Sequence, residues 1–317
     1  MKIYFIILLF LLNCYFIISL RVMVIGDSVD RYMVSDWCLE NGGILYTDKT
    51  MNTFPALNQL MSPLSRRFKS WEFRTCISLS RGINISYVFN RIGVRTQEPF
   101  YMPLTTVAGL NEKEKSLLKN SNSQEKSIMI TIGPALKALS DPKILGGEVE
   151  AVFLHSGFWD LSKRVDVKGQ DNGVVAMGDW IDSWYNNATI LMSLIQKRYP
   201  KANFFGWRYL SDFTIAHSAP KNSNIDAAPR NPNPRNWHDA TAHKLKDKMN
   251  KKLQLLQQNS SSSSSSSSIN KGRSKKLYQI LDHRLLHSRS ARRDLLHVSR
   301  AACVEIFEAF LSKIDLE

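Results

Sequence analysis

The stretch that most constrains the fold is Arg21-Val-Met-Val-Ile-Gly-Asp-Ser-Val-Asp-Arg31. Val22 to Ile25 is a short apolar run, the pattern of a buried strand, and Gly26-Asp27-Ser28 breaks it sharply. Behind the break, Val29, Tyr32, Met33 and Trp37 fall at helical spacing, so the run predicts strand, tight turn and helix over Val29 to Leu39. A serine at such a corner is lifted clear of the sheet, with its hydroxyl exposed and its own N–H on the same side. A nucleophile placed there needs a base and a residue to orient that base. Asp294-Leu-Leu-His297, near the other end of the chain, has the right residue types.

The rest of the chain supplies the sheet. Gly42 to Tyr46 reads as a turn and short strand, Leu57 to Phe68 as a helix, Trp71 to Leu79 as a strand and Ile83 to Phe89 as another. Glu150 to Ser156 is a second buried strand, closed by Gly157-Phe-Trp-Asp160. Asp179 to Arg198 has strong helical periodicity, Ala202 to Trp207 is the next strand, and Trp237 to Gln258 is a basic amphipathic helix. Ser260 to Ser268 is a run of nine serines, read with its flanks (259–272) as a disordered insert. Val298 to Ile314 is a terminal helix. Short apolar strands alternating with helices predict one α/β domain over residues 21–317 with a mainly parallel sheet. Sites in such sheets collect at the carboxyl ends of the strands, where Ser28 and the 157–160 turn both fall.

With 317 residues, 44% hydrophobic and 22% charged, the chain can bury one sizeable core or two modest ones. Residues 1–20 are a leader: Lys2 precedes an apolar run from Ile3 to Leu20, long enough for a signal peptide or a signal anchor. Ile17 is a poor cleavage context, but a strand starting at Val22 leaves no stem, so the expectation is a cleaved signal and a secreted or luminal domain. A membrane is a partner only if residues 1–20 are retained. Cys38 and Cys76 are the expected disulfide, with Cys303 left over. The alternative is three buried reduced thiols. Asn84, Asn187 and Asn259 carry glycosylation sequons.

The formal charge is +14, and Arg230 to Arg300 holds 16 Lys/Arg against 4 Asp/Glu, about +12 of that total. Secretory targeting and the lack of a recognition motif exclude a nucleic acid. An anionic polysaccharide suits the 230–300 stretch better; the plain alternative is a solvated basic helix and insert.

One helical turn sets positions i and i+3 side by side, so Asp294 can hold the His297 imidazole in one tautomer. His297 then takes the Ser28 proton as Oγ attacks an acyl carbon and returns it to the leaving alcohol. Arg31, one turn into the first helix, is placed to bind substrate or to orient Asp27; the alternative is a surface salt bridge with Asp27 or Asp30. His155 and Asp160 lie near the site by sequence, and Arg208 closes the 202–207 strand on the rim assigned to substrate. His283 and His287 are four apart but lack a third ligand at sensible spacing, so no metal site is assigned.

These residues resemble the SGNH/GDSL hydrolase superfamily, and within it the PC-esterase branch of glycan and polysaccharide acyl-esterases and O-acetyltransferases. The resemblance rests on Gly26-Asp27-Ser28 followed by Arg31, on Asp294-x-x-His297, and on His155-Ser-Gly-Phe-Trp-Asp-Leu161 as the central block. It implies a flavodoxin-like three-layer α/β/α fold, a Ser28–His297–Asp294 triad, and no metal or other cofactor. The activity implied is that of a serine esterase or acyltransferase on O-acyl, above all O-acetyl, groups of a carbohydrate or glycan. Trp159 stands where the superfamily usually has the oxyanion asparagine. Oxyanion donors are then expected from the N–H groups of Ser28, Gly82 and Gly157, and substrate contacts from Arg31, Trp159, Asp160 and Arg208. Two rival readings follow from the same residues: an inactive SGNH-like domain that binds an anionic polysaccharide, and a membrane-anchored adaptor.

Overall fold

The computed structural model describes residues 20–47, 73–89, 147–156, 173–210, 240–262, 278–283 and 298–314, with isolated positions 113, 116, 136, 137 and 140. Strand β1 (Leu20–Gly26) runs through the middle of a seven-stranded sheet. It pairs in parallel with β4 (Ile83–Phe89), Leu20 opposite Ile83 and Gly26 opposite Phe89. On its other side lies β5 (Ala151–Leu154), Val22 opposite Ala151 and Ile25 opposite Leu154. Flanked on both sides, β1 has no edge to show to water, and Val22 to Ile25 are all buried.

Beyond β5 the parallel order continues through β6 (Phe204–Arg208) and β7 (Gln279–Leu281). Beyond β4 come β3 (Phe73–Ser78), antiparallel to both neighbours, and β2 (Ile44–Tyr46), giving the order β2-β3-β4-β1-β5-β6-β7. The chain leaves β1 toward the β2 side and leaves β5 toward the β7 side. The crevice between the carboxyl ends of β1 and β5 is therefore a topological switch point.

Helices α1 (Ser28–Glu40), α2 (Gly173–Arg198), α3 (Ala240–Ser262) and α4 (Arg300–Leu311) cover the sheet. Side chains alternate along β6, which sorts the helices into layers. Phe204 faces Phe153 of β5, which also meets Phe307 and Phe310 of α4, and Trp37 of α1 packs edge-on against Phe307. Trp207, on the opposite face, meets Trp184 of α2 at 6.3 Å between ring centroids, and Lys252 of α3 pairs with Asp182 of α2. The result is a three-layer α/β sandwich with a mainly parallel sheet, the class the alternation of strands and helices predicts.

Cys38 of α1 and Cys76 of β3 are joined in a disulfide, Cα atoms 5.8 Å apart, while Cys303 is free and buried. A Cβ on Gly43 would lie 2.9 Å from Cys38 Sγ and 3.1 Å from Cys76 Sγ, so the turn ahead of β2 has room only for glycine beside the bridge.

Several boundaries differ from the predicted ones. Leu20, read as the end of the leader, is the first residue of β1 and its N–H donates to the Gly82 carbonyl. Helix α2 opens at Gly173, ahead of Asp179, and α3 continues through Ser260–Ser262. Those three serines therefore extend a helix, at a propensity cost of only about 0.5 kcal/mol each. Asn84 lies inside β4 and Asn187 inside α2, and both are buried, so neither sequon is open to a glycosylating enzyme in the folded domain. The helix expected at Leu57–Phe68 falls outside the described residues.

Candidate active site

Ser28 is the first residue of α1, directly after the carboxyl end of β1 and beside the switch point. The turn that puts it there is built from the two aspartates around it. Asp27 is the N-cap: its Oδ1 accepts the Val29 N–H at 2.8 Å, and Asp30 Oδ2 accepts the Asp27 N–H at 2.9 Å, closing a capping box. Gly26 makes the box fit, because a Cβ there would overlap the Asp30 carboxylate. Gly26 and Asp27 are thus both packing requirements of this turn.

Both carboxylates are buried, and Arg208 lies between them. Its Nε and Nη2 donate to Asp30 Oδ1 and Oδ2 at 2.6 and 2.8 Å, a fork-to-fork pair, and Nη2 also reaches Asp27 Oδ1 at 3.2 Å. His155, two residues past Phe153 on β5, stands 2.9 Å from Asp27 Oδ2 through Nε2. The ring's Nδ1 donates to the Arg208 carbonyl at 2.9 Å. The Tyr87 hydroxyl of β4 donates to the Asp27 carbonyl at 2.7 Å. Side chains from β4, β5 and β6 thus converge on one helical turn.

Burial alone would raise the Asp27 pKa, but His155 and Arg208 outweigh it and hold the carboxyl well below the usual range. Burial pushes the Tyr87 hydroxyl well above 10, with Asp30 adding to the effect. Arg208 is the converse case: burial would weaken its hold on the proton, and Asp30 and Asp27 more than restore it. Asp27, Asp30 and His155 offer metal-type donors within 4.8 Å of one another. The Arg208 guanidinium already sits against both carboxylates, however, so a metal ion would meet a positive group at contact distance. The cluster fits an ion-pair network and does not fit a metal.

Arg208 therefore stands at the carboxyl end of β6 as expected, but 1% exposed and directed inward at Asp27 and Asp30. It is the cation on those carboxylates, a place the sequence suggested for Arg31. Arg31 is half-buried on α1, with its guanidinium 5.2 Å from the Tyr32 ring centroid. His155 has both ring nitrogens turned to acceptors, Asp27 and the Arg208 carbonyl, and so is not poised to take a proton from Ser28.

Gly82 requires a correction as an oxyanion donor. It sits in the turn before β4, level with Leu20, whereas Ser28 follows Gly26 at the opposite end of the same register. Seven parallel residues separate the two ends, about 20 Å. The sequence signal was a glycine turn beside a strand; which end of the strand it closed depended on pairing direction. Gly157, Trp159, Asp160, Asp294 and His297 lie outside the described residues. Helix α4, which follows His297 by three residues, packs on α1, with the Trp37 indole N–H donating to Glu308 at 2.8 Å.

Sequence reasoning underrated Asp30 and missed Tyr87. The Asp27-x-x-Asp30 spacing before an apolar run was a legible capping signal. Nothing local marks Tyr87, whose role comes only from β4 lying beside β1.

A scan against protein-family models finds no match, and neither does a search of the curated proteins. Among solved structures the chain is similar to a protein of Streptococcus pneumonia named as a candidate platelet activating factor. Identity is 14% and the TM-score 0.38, over 93% of this chain and 83% of that one. A likeness of that size leaves the functional reading to rest on the geometry around Ser28.

Proposed function

We propose that the chain is a serine esterase or acyltransferase whose nucleophile is Ser28 and whose substrates are O-acyl, chiefly O-acetyl, groups of a carbohydrate or glycan in the secretory pathway. The observation that carries this reading is the position of Ser28 as the first residue of a helix, at the carboxyl end of the central strand and next to the switch point. A helix N-terminus favours negative charge, as develops on the acyl oxygen when Oγ attacks. His297, held by Asp294, takes the Oγ proton. Collapse of the tetrahedral species then breaks the acyl–oxygen bond, and the same proton goes to the departing sugar hydroxyl. Water or a second hydroxyl accepts the acyl group, which makes the outcome hydrolysis or transfer. A fluorophosphonate probe tests the reading: it should label the wild type at Ser28 and fail to label Ser28→Ala or His297→Ala. Labelling unchanged in Ser28→Ala overturns it.

One observation favours a second reading, an anionic polysaccharide bound through α3. Lys244, Lys248 and Lys251 are exposed at positions i, i+4 and i+7 of that helix, forming one basic stripe. Retention on immobilised heparin that survives Ser28→Ala but is lost on charge reversal of the three lysines would support it.

A further inference from the structure

We infer that Arg208 and His155 are positioning residues for Ser28. They lock the first turn of α1 from below, and Arg208 offsets part of the negative charge that the two aspartates would otherwise set under the site. The inference rests on the reading of Ser28 as the nucleophile.

The geometry is specific to that residue. The carboxylates clamped by Arg208 belong to Asp27 and Asp30, which bracket Ser28 in sequence, and the two are joined to each other by the capping box. His155 holds the outer oxygen of Asp27, and Tyr87 holds its carbonyl. The backbone on either side of Ser28 is therefore tied to β4, β5 and β6 at once. A cluster of this kind is a poor way to add stability, since buried ion pairs are commonly matched or bettered by apolar packing of the same volume. What an ion network fixes well is direction. Two anions under a developing oxyanion would oppose it, and a guanidinium lying between them reduces the opposition.

A bystander role and a positioning role differ in measurable ways. Misplacing a nucleophile by about 1 Å costs on the order of 100-fold in rate. In Arg208→Ala, Ser28 labelling and kcat for p-nitrophenyl acetate should fall by about that factor with KM little changed. Millimolar guanidinium chloride, which can fill the vacated site, should restore part of the rate where equal sodium chloride does not. Arg208→Lys, which keeps the charge and loses the fork, should lie between. If Arg208→Ala does not fold, His155→Gln and Asp30→Asn carry the same test: each should lower kcat, with KM little changed, when assayed well below its own thermal midpoint, where the variant is fully folded. Wild-type rates in folded variants, or recovery with sodium chloride as complete as with guanidinium, overturn the inference while leaving the esterase reading intact. Absence of Ser28-dependent labelling in the wild type overturns both.

Discussion

Gly26 is the position where one methyl group should do the most damage. A Cβ there overlaps the Asp30 carboxylate and lies 2.8 Å from Asp30 Cβ, so Gly26→Ala forces Asp30 out of its place. Two interactions then go together. The capping bond from the Asp27 N–H, typically worth about 1 kcal/mol, is lost. So is the paired contact with Arg208, leaving a buried guanidinium short of its main partner; breaking a buried pair from one side costs about 3–5 kcal/mol. One displacement causes both losses, so they do not simply add, and the expected cost of Gly26→Ala is about 3–5 kcal/mol. Asp30→Gly removes every atom in the way and forfeits the same contacts, so it should cost a similar amount. The double variant should then be no less stable than Asp30→Gly alone, a coupling energy of at least about 2 kcal/mol. Urea denaturation followed by the fluorescence of buried Trp37, Trp184 and Trp207 measures all four corners of the cycle. Additivity within about 0.5 kcal/mol would refute the argument, because it would mean that Gly26 and Asp30 do not compete for the same space.

Asp27 gives a prediction in acid: with its folded-state pKa depressed, its stabilisation is complete above the ordinary value of 3.8 and drains away as pH falls below it. Urea midpoints should therefore drop below about pH 4 in the wild type, and less so in Asp27→Asn. In base the sign reverses. Burial raises the hydroxyls of Tyr87, Tyr199 (to about 12) and Tyr278, so the fold is favoured below pH 10 and loses that contribution as pH rises past it. Tyrosinate absorbance should show a late class that titrates together with unfolding. The Cys38–Cys76 bridge closes a loop with a separation of 38 residues, for which chain entropy gives about 4 kcal/mol. Cys38→Ser with Cys76→Ser should lower stability by up to that amount, read from urea midpoints, and a cost near zero would contradict the loop-closure account.

Much of the sheet was legible because its signals are local. Val22 to Ile25 and Ile83 to Phe89 are apolar runs bounded by turn residues, and they are β1 and β4 within two residues. The serine at the β1–α1 corner was legible for the same reason. Pairing direction was not, and that is why Gly82 was assigned to the wrong end of the sheet. The ion network was only half visible. Asp27 and Asp30 sit in one motif, but Arg208 and His155 join them from 178 and 128 residues away, counted from Asp30 and Asp27. An arginine ending an apolar strand reads as a rim residue until the fold shows a pair of carboxylates beneath it. The sequons at Asn84 and Asn187 illustrate a kindred limit: Asn-x-Ser/Thr says nothing about burial, and both asparagines are buried, Asn84 within β4 and Asn187 within α2.

The single pass of β1 through the sheet also settles a matter of layout. Leu20 stands at one rim and Ser28 at the other, so the chain enters β1 at the side remote from the serine. A tether, fusion partner or solid support attached through that side leaves the approach to Ser28 clear. Immobilising the protein by its leading end should cost little access, even for a bulky polymer.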